Sequence, residues 1–287
     1  MIKFIGGAVA AMLIAVIGTL SVVTFSRTRS LETRVTALQK QVRETSGSVS
    51  SLTESVAMKE DRKGDPHATP HWGYEGDVGP AKWGESFSTC GTGREQSPVN
   101  IVGPFEKAEG SIKLAYHPML LKVLNNGHTI QVNAEAGNTM TVGASTYELV
   151  QFHFHRPSEE LVAGKPAAMV AHFVHKSAEG KLAVLGVLLN EGYDNPVIKA
   201  IWSNAPESQT PETTVPGVAI NLSQIIPTNL DFYSYAGSLT TPPCTEGVTF
   251  YILKTPGAMS RAQVEQFPFK MNARPVQALN DRRISAN

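Results

Sequence analysis

Gln151-Phe152-His153-Phe154-His155 places two imidazoles two residues apart. On a helix such a pair diverges, because neighbours on one helical face are three or four apart. On a strand the side-chain period is two, so His153 and His155 share one face and Phe152 and Phe154 the other. The stretch therefore reads as a strand with an aromatic side for the core and an imidazole side for a cleft. Two convergent imidazoles are half of a zinc site. A catalytic zinc needs a third protein ligand and one open position for water. A His-x-His pair by itself is more often structural than catalytic, so the third ligand matters.

Ala168-Met169-Val170-Ala171-His172-Phe173-Val174-His175 offers it. The run is apolar and β-rich, and the turn signal Gly164-Lys165-Pro166 precedes it. His172 and His175 are three apart, so on a strand they face opposite sides and only one can join the site. His172 shares a face with Val170 and Val174 and is taken as the ligand; His175 points away.

The elements that must position these groups are mostly strands. From His71 onward short β-like runs alternate with turns, as at 120–124, 129–132, 182–189 and 248–253. Asn125-Asn126-Gly127 is a turn signal between two of them. Helices are few. Asn195 with Pro196 can cap one that runs through Trp202, and Ser260 another that stops before Pro268. Basic and acidic residues balance at 25 each, which leaves no footprint for nucleic acid.

Further motifs narrow the chemistry. His71-Trp72-Gly73-Tyr74, Gln96-Ser97-Pro98-Val99-Asn100 and Asn125-Asn126-Gly127-His128 precede the histidine pair. Pro157-Ser158-Glu159, Gly237-Ser238-Leu239-Thr240-Thr241-Pro242-Pro243 and Arg274-Pro275-Val276-Gln277 follow it. In this order, over essentially everything after residue 70, the chain resembles the α-class carbonic anhydrases, and Pro157-Ser158-Glu159 resembles their bacterial branch. The resemblance implies a mainly β chain with the α-carbonic anhydrase fold. That is a large, twisted, mostly antiparallel central sheet with few short helices and Zn2+ at the bottom of a conical cleft. It implies reversible hydration of CO2 to bicarbonate and a proton by a zinc-bound hydroxide, with His153, His155 and His172 as ligands. Three neutral imidazoles leave the metal its double charge, and water there ionises near pH 7.

The resemblance also distributes roles. Glu159 and Thr240 orient the hydroxide: a carboxylate only accepts, so Glu159 takes the Thr240 hydroxyl proton and leaves the threonine oxygen as an acceptor. Glu159 rather than Glu160 is chosen because it directly follows Pro157-Ser158. Thr241 hydrogen-bonds bicarbonate. CO2 rests on Val174, Val184 and Leu239, with Val248 behind. His128 is the proton shuttle, suited by a pKa near neutrality. Tyr74, Asn126 and Gln131 order the relay waters, with Gln131 where the family often has asparagine. Gln151 backs His153, and the Asn272 backbone backs His155. The chain departs from the pattern at Val170, where the family usually has a glutamate two residues before the third ligand. Two cysteines in a chain this size need not pair; resemblance to exported members implies a Cys90–Cys244 bridge. A non-catalytic binding module on the same fold is the rival reading. Loss of a ligand histidine, Thr240 or Glu159 would mark it, and all are present. A zinc esterase activity is expected only on the side.

The N-terminal part is organised differently. The run 4–25 is uncharged and mostly apolar, long enough to span a bilayer. Residues 1–26 are read as an uncleaved signal-anchor, with a cleaved signal peptide as the alternative. Leu31, Val35, Leu38, Val42, Val49, Leu52 and Val56 keep a 4-3 spacing, with Thr45 filling one seam position. Residues 27–58 thus read as a heptad stalk, either a short coiled coil that makes a homo-oligomer or a solvated stalk helix, with disorder after Gly47 as a further alternative. Residues 59–70 read as a linker and 71–287 as the catalytic domain. Arg27, Arg29, Arg34 and Lys40 after the apolar run point that domain to the cytoplasm by the positive-inside rule. Long domains translocate largely regardless of charge, and a disulfide persists only outside the reducing cytosol. The expectation is a single-pass membrane protein with its catalytic domain on the periplasmic or extracellular side.

Overall fold

Apolar and polar residues alternate along the strand Ile130–Asn133, and burial follows: Ile130 and Val132 are buried, Gln131 and Asn133 only in part. The same two-residue period marks Thr139–Val142 and much of Glu246–Leu253 in the computed structural model, which describes residues 70–287. The expected signal-anchor, the heptad stalk and nearly all of the linker lie outside the described residues. Among the described residues no helix is long and apolar enough to cross a membrane.

Ten strands make the continuous path of a 13-stranded sheet. In chain order they are β1 (Glu106–Lys107), β2 (Met119–Asn125), β3 (Ile130–Asn133), β4 (Ser145–His155) and β5 (Met169–Ser177). Then come β6 (Leu182–Glu191), β7 (Thr210–Ile220), β8 (Phe232–Ser238), β9 (Glu246–Leu253) and β10 (Ser285–Ala286). Their order across the sheet is β7-β2-β3-β4-β5-β6-β9-β8-β10-β1. Pairing is antiparallel except between β6 and β9 and between β10 and β1. This is the expected mainly β, mostly antiparallel architecture.

Each face of the sheet carries an apolar layer. One holds Phe152, Phe154 and Phe173 together with the helical residues Ile198 and Ile201. The other holds Val170, Val184, Val248 and Phe250. The helices begin where their caps dictate. Asn195 Oδ1 accepts from the amides of Val197 and Ile198 at the start of α1 (Pro196–Trp202). Ser260 and Gln263 form a reciprocal capping box on α2 (Arg261–Gln266).

Strand β4 does not keep one parity along its length. Tyr147 and Leu149 are buried in its first half, Phe152 and Phe154 in its second. The register against β5 runs Val174 to Gln151 and then His175 to Leu149, which leaves Val150 unpaired and exposed. A bulge of one residue resets which side chains face the core. Beyond it, His153 and His155 turn to the face opposite the phenylalanines.

Candidate active site

Register assembles the three histidines. His153 lies opposite His172 across β4 and β5. His155 follows on the same face of β4, so the three rings stand with centroids 5.0 to 5.7 Å apart. One nitrogen from each ring lies within 4.8 Å of those of the other two. Gly186 pairs with His172 from the other side on β6. A Cβ there would stand 3.7 Å from the His172 ring and 2.4 Å from Ile252 Cδ1, so the glycine keeps this corner open. His175 is on the far face, buried, with its Nε2 2.5 Å from the Tyr116 hydroxyl.

Each ring has its outer nitrogen engaged. His153 Nδ1 meets Gln151 Oε1 at 2.8 Å, and His155 Nδ1 meets the Asn272 carbonyl at 2.7 Å. His172 Nε2 meets Glu160 Oε2 at 3.1 Å. Carbonyl and carboxylate oxygens only accept, so each outer nitrogen donates, and in the neutral ring the inner nitrogen keeps its lone pair. Burial holds His153 down to about 3, helped by His172, and pushes His155 well below the usual histidine range. The inner His155 Nε2 is buried without a hydrogen-bond partner among the described residues. Converging imidazoles, with His155 Nε2 buried and unpartnered, are a donor set for zinc.

Glu159 stands beside this set. Its Oε1 accepts from the Arg274 amide at 2.8 Å. Its Oε2 lies 3.4 Å from His155 Nε2 and 3.7 Å from His172 Nδ1. Burial pushes Glu159 up to about 8, while His172, the Arg274 amide and the Thr240 hydroxyl hold it down. Thr240 sits in the hairpin between β8 and β9, closed by Leu239 N donating to the Thr245 carbonyl at 2.9 Å. Thr241 lies in the same loop, its carbonyl accepting from Cys244 N at 2.9 Å. The Cys90–Cys244 disulfide ties the loop to the N-terminal segment. Gln96 Nε2 donates to the Cys244 carbonyl, and Arg274 Nη2 to the Cys90 carbonyl, so the bridge and the Glu159 mount share one network.

Residues 78–287 match the sequence profile of the eukaryotic-type carbonic anhydrases. The chain belongs to this family. It is 41% identical over 222 residues to a carbonic anhydrase of Pectobacterium atrosepticum, covering 75% of this chain and 90% of that protein. Against a carbonic anhydrase of Neisseria gonorrhoeae the identity is 45% over 219 residues, 74% of this chain and 86% of that one. The solved α-carbonic anhydrase of Thermovibrio ammonificans, in complex with the inhibitor sulfanilamide, superposes with a TM-score of 0.72 at 38% identity. That match covers 76% of this chain and all of the other. The protein is a zinc enzyme that interconverts CO2 and bicarbonate.

The other residues expected around a carbonic anhydrase site fall as follows. Val184 and Val248 are buried in one apolar layer, with Val174 and Leu239 packed against it. Asn126 Oδ1 accepts from the amides of His128 and Thr129, and its Nδ2 is 3.5 Å from Gln131 Oε1. Asn272 Nδ2 donates to the His128 carbonyl and to the Phe154 carbonyl. His128 stacks flat on Trp72, centroids 3.7 Å apart. Burial, with His71 nearby, holds His128 down to about 4. Tyr74 is raised by burial and by Glu159.

Three contacts escape a reading of the sequence. The Arg274 amide on Glu159 and the Trp72 stack on His128 both come from motifs that were visible, without their geometry. Glu160 on His172 had no signal beyond its place next to Glu159.

Proposed function

We propose that hydration takes place at His153, His155 and His172, and that Glu159, Thr240 and His128 divide the remaining work. Converging inner nitrogens, each ring fixed by an acceptor behind it, carry this reading. Zinc bound there supplies a hydroxide nucleophile near neutral pH by lowering the pKa of water from about 15.7 to about 7. The same double charge favours the carboxylate form of Glu159. Glu159 then accepts the Thr240 hydroxyl proton and leaves Thr240 Oγ1 to accept from the nucleophile and aim it. Val174, Val184, Leu239 and Val248 offer CO2 an apolar wall, which suits a molecule without a dipole. Thr241 donates to the bicarbonate that forms. His128 accepts the proton released, through waters ordered by Tyr74, Asn126 and Gln131.

Replacing His172 by alanine should leave the purified chain without zinc and without hydration activity, whereas His175→Ala should keep its metal. Metal analysis reversing that order would overturn the ligand set.

The enzyme is proposed to act outside the reducing cytosol, anchored through residues 1–26 and spaced by the stalk at 27–58, which also offers a homo-oligomer contact. The Cys90–Cys244 bridge supports an oxidising compartment, and the uncharged run 4–25 supports the anchor.

A further inference from the structure

Residues 170 and 172 share a face of β5, so a carboxylate at 170 would lie beside the His172 ring. The chain has Val170 there instead, wholly buried in the layer with Val184, Val248 and Phe250. That neighbour offers the ring no acceptor.

A carboxylate reaches the ring from elsewhere. After β4 the chain turns through Ser158, Glu159 and Glu160. Ser158 Oγ donates to the Glu160 carbonyl at 2.8 Å and accepts from the Ala167 amide at 2.8 Å. Ser158 N donates to the Ala167 carbonyl at 3.2 Å. These bonds fasten the turn to the chain just ahead of β5. Glu160 is fully buried, with Oε2 3.1 Å from His172 Nε2 and Oε1 3.4 Å from the Tyr235 hydroxyl. Two consecutive glutamates thus flank one imidazole: Glu159 lies toward the inner Nδ1 and Glu160 toward the outer Nε2. His153 and His155 are backed by neutral oxygens, so Glu160 is the charged acceptor of the ligand set.

We propose that Glu160 is the positioning residue of the third zinc ligand, taking over from the turn the role that Val170 cannot fill from the strand. It fixes the tautomer with hydrogen on Nε2, holds the ring plane and makes Nδ1 a better donor to the metal. This rests on the zinc reading of the three histidines.

The test is zinc release from the full chain, loaded with one zinc and mixed with excess dipicolinate, followed by metal analysis rather than activity. Glu160→Gln keeps the shape and removes the charge. It should release zinc about 10–100-fold faster, the range for losing such a partner. Tyr235→Phe removes the other contact of Glu160 without touching His172 and should release zinc at close to the wild-type rate. Release from Glu160→Gln at the wild-type rate overturns the assignment. So does release from Tyr235→Phe as fast as from Glu160→Gln, which would make Glu160 a packing element. A wild-type chain that takes up no zinc would refute the zinc reading itself, a distinct outcome. If Glu160→Gln does not fold, long-range 1H–15N spectra of the zinc-loaded wild type decide. His172 should carry its proton on Nε2, bonded and far downfield, with His153 and His155 protonated on Nδ1. A His172 ring without that downfield proton overturns the proposal.

Discussion

Replacing Cys90 and Cys244 together by serine should cost the catalytic unit about 3–5 kcal/mol of stability. The bridge closes a loop with a sequence separation of 154 residues. In the chain-entropy relation a loop of that length restricts the unfolded chain by about 5 kcal/mol at 25 °C. Residual structure in the unfolded chain reduces the figure. The folded state loses less, because other bonds hold the same two places. Gln96 donates to the Cys244 carbonyl, Arg274 to the Cys90 carbonyl, and Cys244 N to the Thr241 carbonyl. Stability should therefore fall while the Thr240 loop keeps its place. Urea unfolding of the 71–287 unit, with zinc saturating and equal in both samples, reads the first part. For a chain of this size the midpoint should drop by roughly 1–2 M. Turnover at 25 °C reads the second part and should change little. A stability loss under about 1 kcal/mol would refute the entropic argument. A roughly 10²-fold loss of turnover, the size of a 1 Å misplacement, would show that the bridge itself positions Thr240.

His128→Ala should lower kcat at saturating CO2 in weak buffer by about tenfold or more, leave kcat/KM nearly unchanged and respond to added imidazole; an unchanged kcat removes His128 from the mechanism. Because burial against Trp72 leaves His128 at about 4, Trp72→Ala should raise that pKa and speed turnover in weak buffer, and slower turnover at a raised pKa would contradict this. Burial holds His175 down from 6.5 to about 4, so between those pH values the unfolded chain binds a proton the folded chain refuses. Stability then falls toward acid by about 1.4 kcal/mol per pH unit. His175→Gln should flatten that slope by one proton, and urea midpoints from about pH 6.5 down to about 4.5 showing the same slope in both proteins would sink the argument. Protease added to intact spheroplasts should digest the catalytic unit, and thiol labelling without reductant should find neither cysteine free; a protected unit with two labelled thiols would place it in the cytosol.

Some of this was legible in the chain itself because it is local. A period of two puts His153 and His155 on one side and Phe152 and Phe154 on the other, whatever surrounds the strand. Asn195 and Ser260 start helices because their side chains reach amides two or three residues on. His172 rather than His175 follows from the same parity, and the bulge at Val150 does not disturb it, because it lies outside 151–155. The zinc chemistry needed the motif order as well, since a His-x-His pair alone is ambiguous.

Other features wait on how distant segments meet. Arg274 supplies the amide that holds Glu159 across 115 residues, and Asn272 supports His155 across 117. Glu160 is only 12 residues from His172, yet no periodicity relates them. Whether a turn residue faces an imidazole or solvent depends on where Ser158 fastens the turn, and that is a tertiary contact. Trp72 lies flat on His128 from a segment 56 residues away, and burial there lowers the basicity a free histidine would have. Strand period and capping act through covalent neighbours and are written in the sequence. Desolvation and the partner behind each imidazole act through space, and only the folded chain decides them.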